Sequence, residues 1–193
     1  LIIKVASIPK ERMQVYFIDN DEYFKRKAIF SDEDDQLFSD NDERAIFFAK
    51  GVVETVKKLN WAPDIIHVHG WMASLLPLYI KEYYSDEPLF LESKIVTSVY
   101  DKDFEGTLNS GLADKIKFDK ISDDKISILK EPNYRNIIKS AISNSDAIVQ
   151  GSKNIPEEIA DEISNSGIPE LSFQEEDSFE SYLNFYKELI SEE

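Results

Sequence analysis

NWAPDIIHVHGWMASLLPLYIKEYY, residues 60–84, carries the clearest local signals of the chain. A polar turn and Pro63 lead into Asp64-Ile65-Ile66-His67-Val68-His69, and Gly70 stops the run. Six residues rich in β-branched side chains, bounded by proline and glycine, predict a short buried strand. Gly70 permits a sharp turn, and Trp71 to Tyr84 then reads as a helix, with Pro77 removing one backbone bond and kinking or breaking it. Strand, glycine turn and helix make half of a βαβ unit. In open α/β sheets ligands bind in the crevice beyond the carboxyl ends of the strands, which places His69, Gly70, Trp71 and Met72 at a candidate site. His67 and His69, the two histidines of the chain, are two residues apart in a strand and so face the same side.

Upstream, Ala45, Phe48, Ala49, Val52, Val53, Val56 and Leu59 recur at three- and four-residue spacing, predicting an amphipathic helix from about Asp42 to Asn60. Asp42 and Glu43 suit its positive end, and Lys57 and Lys58 its negative end. Gly51 inside it costs roughly 1 kcal/mol relative to alanine, which points to a close neighbour. Leu1 to Ile8 and Met13 to Ile18 are two β-favouring runs joined by Pro9-Lys10-Glu11-Arg12, a connection able to close a hairpin. Asp21 to Phe30 shows no clear period beyond a helical turn around Glu22-Tyr23-Phe24.

Downstream, Lys94 to Val99 is a strand, and Tyr100 to Leu112 a loop carrying Gly106 and Gly111. Short helices are expected at Ala113 to Phe118, Asp123 to Leu129 and Asn136 to Ser143. Asp146 to Val149 is a strand ending at Gly151-Ser152, and Pro156 to Ser164 a helix with Asn154 as its cap. An amphipathic helix over 178–191 closes the chain, with Phe179, Tyr182, Leu183, Tyr186, Leu189 and Ile190 as its apolar residues. Strands alternating with helices predict an α/β fold, a doubly wound, mainly parallel sheet with helices on both faces.

The length of 193 residues, with 42% hydrophobic content, suits one domain with a substantial core over residues 1–193. The chain opens in a strand-like run at Leu1 rather than on a methionine and is read as an excerpt lacking its natural N-terminus. No run of about 20 apolar residues is present, so no membrane span is expected. A net charge of -16 repels phosphate backbones and argues against nucleic acid as a partner. The absence of cysteine excludes disulfides and thiolate metal sites and fits a cytoplasmic protein.

Motif tests remove several chemistries. In the acidic stretch Ser31 to Glu43, Asp32, Asp34 and Glu43 fit positions one, three and twelve of a calcium loop, but Leu37 stands where the turn requires glycine. A solvated loop is expected instead. The two histidines lack a zinc-type third-ligand spacing, and no nucleophile elbow or phosphate-cradling glycine loop occurs. Asp101 and Asp103 follow the Lys94 strand, and Ser152 follows the Asp146 strand, at the same sheet edge as His69. Taken singly, each is a turn or cap residue, just as His69 and Trp71 taken singly are core residues.

The segments VYFIDNDEYFKR (15–26), DNDERAIFFAKGVVE (40–54) and WAPDIIHVHGWMASLLPLYIKEYY (61–84), with a weaker echo in SDAIVQGSKNIPEEI (145–159), carry a resemblance. Over residues 13–160 the chain resembles the N-terminal catalytic-domain half of bacterial glycogen synthases and plant starch synthases, glycosyltransferases of GT-B architecture. Its Gly-Trp-Met form is most similar to short synthase-like proteins of Bacteroides-type bacteria. The resemblance implies a Rossmann-like domain, the N-terminal half of a GT-B fold, facing a second such domain across a cleft. It implies transfer of glucose from ADP-glucose or UDP-glucose, a co-substrate, to an α-1,4-glucan acceptor with retention, using no metal and no cofactor.

The family's central motif usually reads His-Asp-Trp-His, its last histidine touching the donor sugar. Here His69 and Trp71 match, while Gly70 and Met72 replace the aspartate and that histidine, and Tyr100-Asp101 stands where the family has His-Asn. The resemblance therefore implies an acceptor-side half with His69, Trp71 and Asp101 lining the cleft, inactive by itself and completed by a second GT-B domain. The competing expectation is a non-catalytic descendant that binds a glucan or a partner protein, with the helix at 178–191 covering the domain.

Overall fold

The computed structural model describes residues 1–101, 104–175 and 178–191. Two sheets are present among them. Strands β1 (Ile2–Ile8) and β2 (Met13–Asp19) pair antiparallel as the expected hairpin, with Ile2 opposite Asp19 and Ile8 opposite Met13. Their connection is a 3-10 turn, Pro9–Glu11, followed by Arg12 in the left-handed region at φ 52°. The hairpin stands apart from the second sheet, whose four strands run parallel in the order β3 (Ile65–His69), β4 (Lys94–Val99), β5 (Ala147–Gln150) and β6 (Glu170–Leu171).

After the hairpin, Asn20 caps the single-turn α1 (Asp21–Phe24) by accepting from the Glu22 and Tyr23 amides at 2.8 and 3.2 Å. The acidic loop beyond it folds on itself, with Asp32 accepting from the amides of Asp34 and Gln36 at 3.0 and 2.9 Å. Helix α2 (Asn41–Leu59) follows, ended by Asn60 in the left-handed conformation asparagine tolerates, at φ 49°. Ala45, Ala49 and Val53 of its apolar face are buried, whereas Leu59 is exposed. Gly51 meets the neighbour its sequence position suggested. A Cβ there would lie 2.9 Å from Ile18 Cγ2, so the hairpin seats directly on this point of α2.

The expected continuous helix over Trp71 to Tyr84 is broken. A 3-10 turn (Trp71–Ala73), a single α-turn α3 (Leu76–Leu78) and a π-turn (Tyr79–Tyr83) replace it. Pro77 falls in the first turn of α3, where its missing N–H costs nothing, so the chain restarts at the proline instead of running through it. Between β4 and β5 lie α4 (Leu112–Lys117), α5 (Asp123–Ile126), a 3-10 turn (Ser127–Lys130) and α6 (Tyr134–Ser143). Asn133 caps α6 through the Asn136 amide at 2.9 Å, which starts that helix two residues before the sequence expectation. Helix α7 (Glu157–Ser166) is capped by Pro156 without a side-chain bond, so Asn154 is not its cap. The two-residue β6 is too short to leave a periodicity and escaped the sequence reading.

Because each parallel strand lies next to the preceding one, right-handed crossovers collect their helices on one face. That face buries Val68, Ile95, Val99 and Ile148 against the main core, which also holds Ala49, Leu75, Tyr79, Leu112 and Ile138. Helix α8 (Phe179–Ser191) covers the other face, where Phe185 and Leu189 pack on Val96, Ala147 and Val149. Helices thus lie on both faces, as expected. Of the apolar residues expected on α8, Phe179, Leu183 and Ile190 are exposed, and Phe185 does the packing in their place. No helix among the described residues is long and apolar enough to cross a membrane.

Candidate functional site

The carboxyl ends of β3, β4 and β5 open into one cleft of about 590 Å³. His69, Gly70, Trp71, Met72, Asp101 and Ser152 all line it, so the structure brings together the six residues singled out from sequence. Asp103 lies outside the described residues. Five further wall residues, Phe30, Ser98, Tyr100, Tyr134 and Ile138, come from a loop, from β4 and the residue after it, and from α6.

Strand pleating explains which groups meet. His67 and His69 project to the α8 side of β3, and their rings stack with centroids 4.1 Å apart. The parallel register sets His69 beside Ser98. His67 Nε2 lies 2.7 Å from Ser98 Oγ, and His67 Nδ1 lies 2.5 Å from the Tyr186 hydroxyl of α8. His69 Nδ1 lies 2.7 Å from the Tyr100 hydroxyl. Burial, reinforced by the adjacent His69, pulls the His67 pKa from 6.5 down to about 4. Burial also lowers the pKa of His69 and raises that of Tyr186. Both imidazoles are therefore neutral at neutral pH, suited to hydrogen bonding rather than to holding an anion.

Gly70 turns the chain out of β3 at φ 74° and ψ 158°, a region essentially restricted to glycine. Nothing lies within 4 Å of a Cβ built there, so backbone conformation and not space requires the glycine. Trp71 is 7% exposed and fixed by Phe30 and Phe104, whose ring centroids are 4.8 and 5.0 Å away. It forms a wall of the cleft more than a free contact surface. Met72 packs partly buried against the core. Ser152 Oγ donates to Asp101 Oδ1 at 2.9 Å, tying the end of β5 to that of β4.

Tyr100 is the residue whose role the sequence did not disclose. Its carbonyl accepts from the Tyr134 hydroxyl at 3.0 Å, and its ring lies so close to Gly151 that any Cβ there would run into it. A signal existed, since Ser98 in β4 and Tyr100 just beyond its end are two residues apart and fall on one side, but linking them to His69 needs the β3–β4 register. Among the described residues no group of three or more His, Asp or Glu side chains is placed to hold a metal ion.

The chain matches the family model described as starch synthase catalytic domain over residues 1–172. It is 34% identical over 175 residues to a glycogen synthase of Chlorobium luteolum, covering 89% of this chain and 35% of that protein. To those of Chlorobium limicola and Chlorobaculum tepidum it is 31% and 34% identical, covering 95% and 90% of this chain and 37% and 34% of theirs. The chain thus spans about a third of the length of these relatives. Among solved structures, the catalytic domain of starch synthase IV from Arabidopsis thaliana, bound to ADP and acarbose, superposes with a TM-score of 0.63 at 16% identity. The match covers 89% of this chain and 36% of that one, and it shows a shared fold.

Proposed function

We propose, from the premise that this chain belongs to the starch synthase catalytic-domain family, that it forms the acceptor-side half of a glucosyltransferase of the glycogen or starch synthase kind. The observation that carries this is the convergence of His69, Asp101 and Ser152 with the aromatic walls of Trp71 and Tyr100 in one cleft at the sheet's carboxyl edge. Neutral imidazole, carboxylate and hydroxyl groups beside aromatic faces suit a neutral polyhydroxyl ligand, here an α-1,4-glucan. The glucose would come from a nucleotide sugar, ADP-glucose or UDP-glucose, gripped across the cleft by a second Rossmann-like domain. That the chain spans about a third of its relatives' length supports such a division of labour. The cysteine-free chain fits a cytoplasmic setting.

Met72 bears on the chemistry. A thioether accepts hydrogen bonds weakly and donates none, so stabilisation of charge developing on a leaving oxygen must come from groups other than the Met72 side chain. This chain's residues bind and orient the acceptor, and transfer depends on the second domain.

Calorimetric titration of the chain with maltoheptaose, and of the full polypeptide encoded by its gene with ADP-glucose and UDP-glucose, tests this reading. Glucan binding that is lost in His69→Ala, with donor binding and glucan extension by the full polypeptide, is the expected result. Glucan binding with no donor affinity in either protein would leave a carbohydrate-binding descendant and overturn the transferase reading.

A further inference from the structure

We infer that Tyr100 is a positioning residue that donates its phenolic proton to His69 Nδ1, locking His69 in the Nε2–H form with that N–H left to the cleft. Four imidazole nitrogens lie in the stacked pair. Three are occupied by hydroxyls: His67 Nδ1 by Tyr186 at 2.5 Å, His67 Nε2 by Ser98 at 2.7 Å and His69 Nδ1 by Tyr100 at 2.7 Å. The fourth, His69 Nε2, has no hydrogen-bond partner among the described residues, and its residue lines the cleft. It is the imidazole atom available to a ligand.

The direction of the Tyr100 bond settles what that atom offers. A neutral imidazole has one N–H and one accepting nitrogen. Were Nδ1–H to donate to the phenol oxygen, the phenolic proton would have no acceptor among the described residues, and Nε2 would face the cleft as a bare acceptor. With the phenol donating, the better donor of the two, a phenolic O–H, meets the better acceptor, an unprotonated imidazole nitrogen, and the remaining N–H is the one left to the cleft. The lowered pKa of His69 keeps the ring neutral, so the choice of tautomer persists at neutral pH. Tyr100 cannot easily move off Nδ1. Its ring is seated on Gly151 and its carbonyl is held by Tyr134 at 3.0 Å. The His67 ring packs against that of His69, with centroids 4.1 Å apart and planes tilted by 35°.

The tautomer stands on this geometry alone, whereas its use rests on the function proposed above. A fixed Nε2–H donates to an oxygen of a bound sugar, a hydroxyl or ring oxygen, and discriminates against a ligand that offers only a donor there. A site built around one fixed donor leaves it unpaired when the wrong group arrives, at a cost comparable to a lost hydrogen bond.

With only two histidines, long-range ¹H–¹⁵N correlation spectra of the labelled chain resolve four ring nitrogens, assigned with His69→Gln. Near neutral pH the expected spectrum shows His69 Nε2 protonated and Nδ1 unprotonated. In Tyr100→Phe the His69 nitrogens should move toward tautomer averaging while those of His67 stay in place, and maltoheptaose affinity should fall roughly threefold, part of one hydrogen bond's worth. A protonated Nδ1 in the parent chain overturns the inference. So does a His69 pattern that Tyr100→Phe leaves unchanged. Should the chain bind no glucan, the spectra still decide the tautomer, and only the functional reading of the site fails.

Discussion

The two faces of the four-stranded sheet are built on opposite principles. On the crossover face Val68, Ile95, Val99 and Ile148 meet a deep apolar core reaching through α2, α4 and α6. On the other face a single helix, α8, supplies Phe185 and Leu189 over Val96, Ala147 and Val149. Towards the carboxyl edge that thin face turns polar, with His67, His69, Ser98 and Tyr100 paired hydroxyl to nitrogen. A site in such a fold belongs on the thin face. Burying titratable groups is tolerable only where each finds a partner, and a face sealed by one helix leaves its edge open for a ligand. The thick face holds the strands still, and the thin face uses their fixed register.

This division is open to direct attack. Ile148 is fully buried in the thick face, and Ile148→Ala should cost about 3–4 kcal/mol in urea unfolding, through lost transfer energy plus an uncollapsed cavity. Leu189→Ala, in the thin face at 4% exposure, should cost less, about 2 kcal/mol, because α8 can detach locally and cap the loss. Equal costs, or an unfolding midpoint more sensitive to Leu189, would show α8 to be as integral to the core as the crossover helices and would break the comparison.

Acidity sharpens it next. His67 has a folded pKa of about 4 against 6.5 unfolded. Above pH 6.5 both states are neutral and the group contributes no pH dependence. As pH falls from 6.5 to about 4, the unfolded chain takes up a proton that the folded chain refuses, so stability drops, and below that range this contribution is flat. Allowing for solvent screening of a partly exposed ring, the loss is on the order of 1–2 kcal/mol, with His69 adding in the same direction. Urea midpoints between pH 7 and 4 should therefore fall more steeply for the parent chain than for His67→Gln. Parallel slopes would mean that the thin face does not hold His67 neutral. A smaller step is Tyr186→Phe, which removes the hydroxyl on His67 Nδ1 and should cost about 1 kcal/mol. It should also speed amide exchange in α8 before any other helix.

Much of the thick face was legible in the sequence, and little of the thin face's polar wiring was. Lys94 to Val99 is a β-branched run whose bounds match β4 to the residue, and Ala45, Ala49 and Val53 announced the buried face of α2 by spacing alone. Local pattern suffices where burial is uniform. At the site, the sheet edge collected all six candidate residues, because strand ends and glycine turns are local signals. The bond from His67 to Tyr186 spans 119 positions, and that from His69 to Tyr100 depends on the β3–β4 register. Neither leaves a local trace. The broken helix after Gly70 shows the intermediate case: Pro77 marked the break, but the 3-10 and π-turns on either side depend on how Trp71 and Tyr79 are packed.

The smallest expected effect tests how far the thick side's order extends outward. Beyond α2 the hairpin leaves Ile2, Val5, Ile8, Met13 and Phe17 exposed, so its attachment rests on few contacts, Gly51 against Ile18 among them. Gly51→Ala should gain roughly 1 kcal/mol of helix propensity and lose a comparable amount as the new methyl pushes Ile18 aside, leaving global stability within about 0.5 kcal/mol. The hairpin should nevertheless loosen, with its ladder amides exchanging faster while those of β4 and β5 stay protected. The full propensity gain with unchanged hairpin exchange would show that Ile18 yields without cost. In that case the thick side's close packing would end at the inner face of α2, and the hairpin would ride on it as an independent unit.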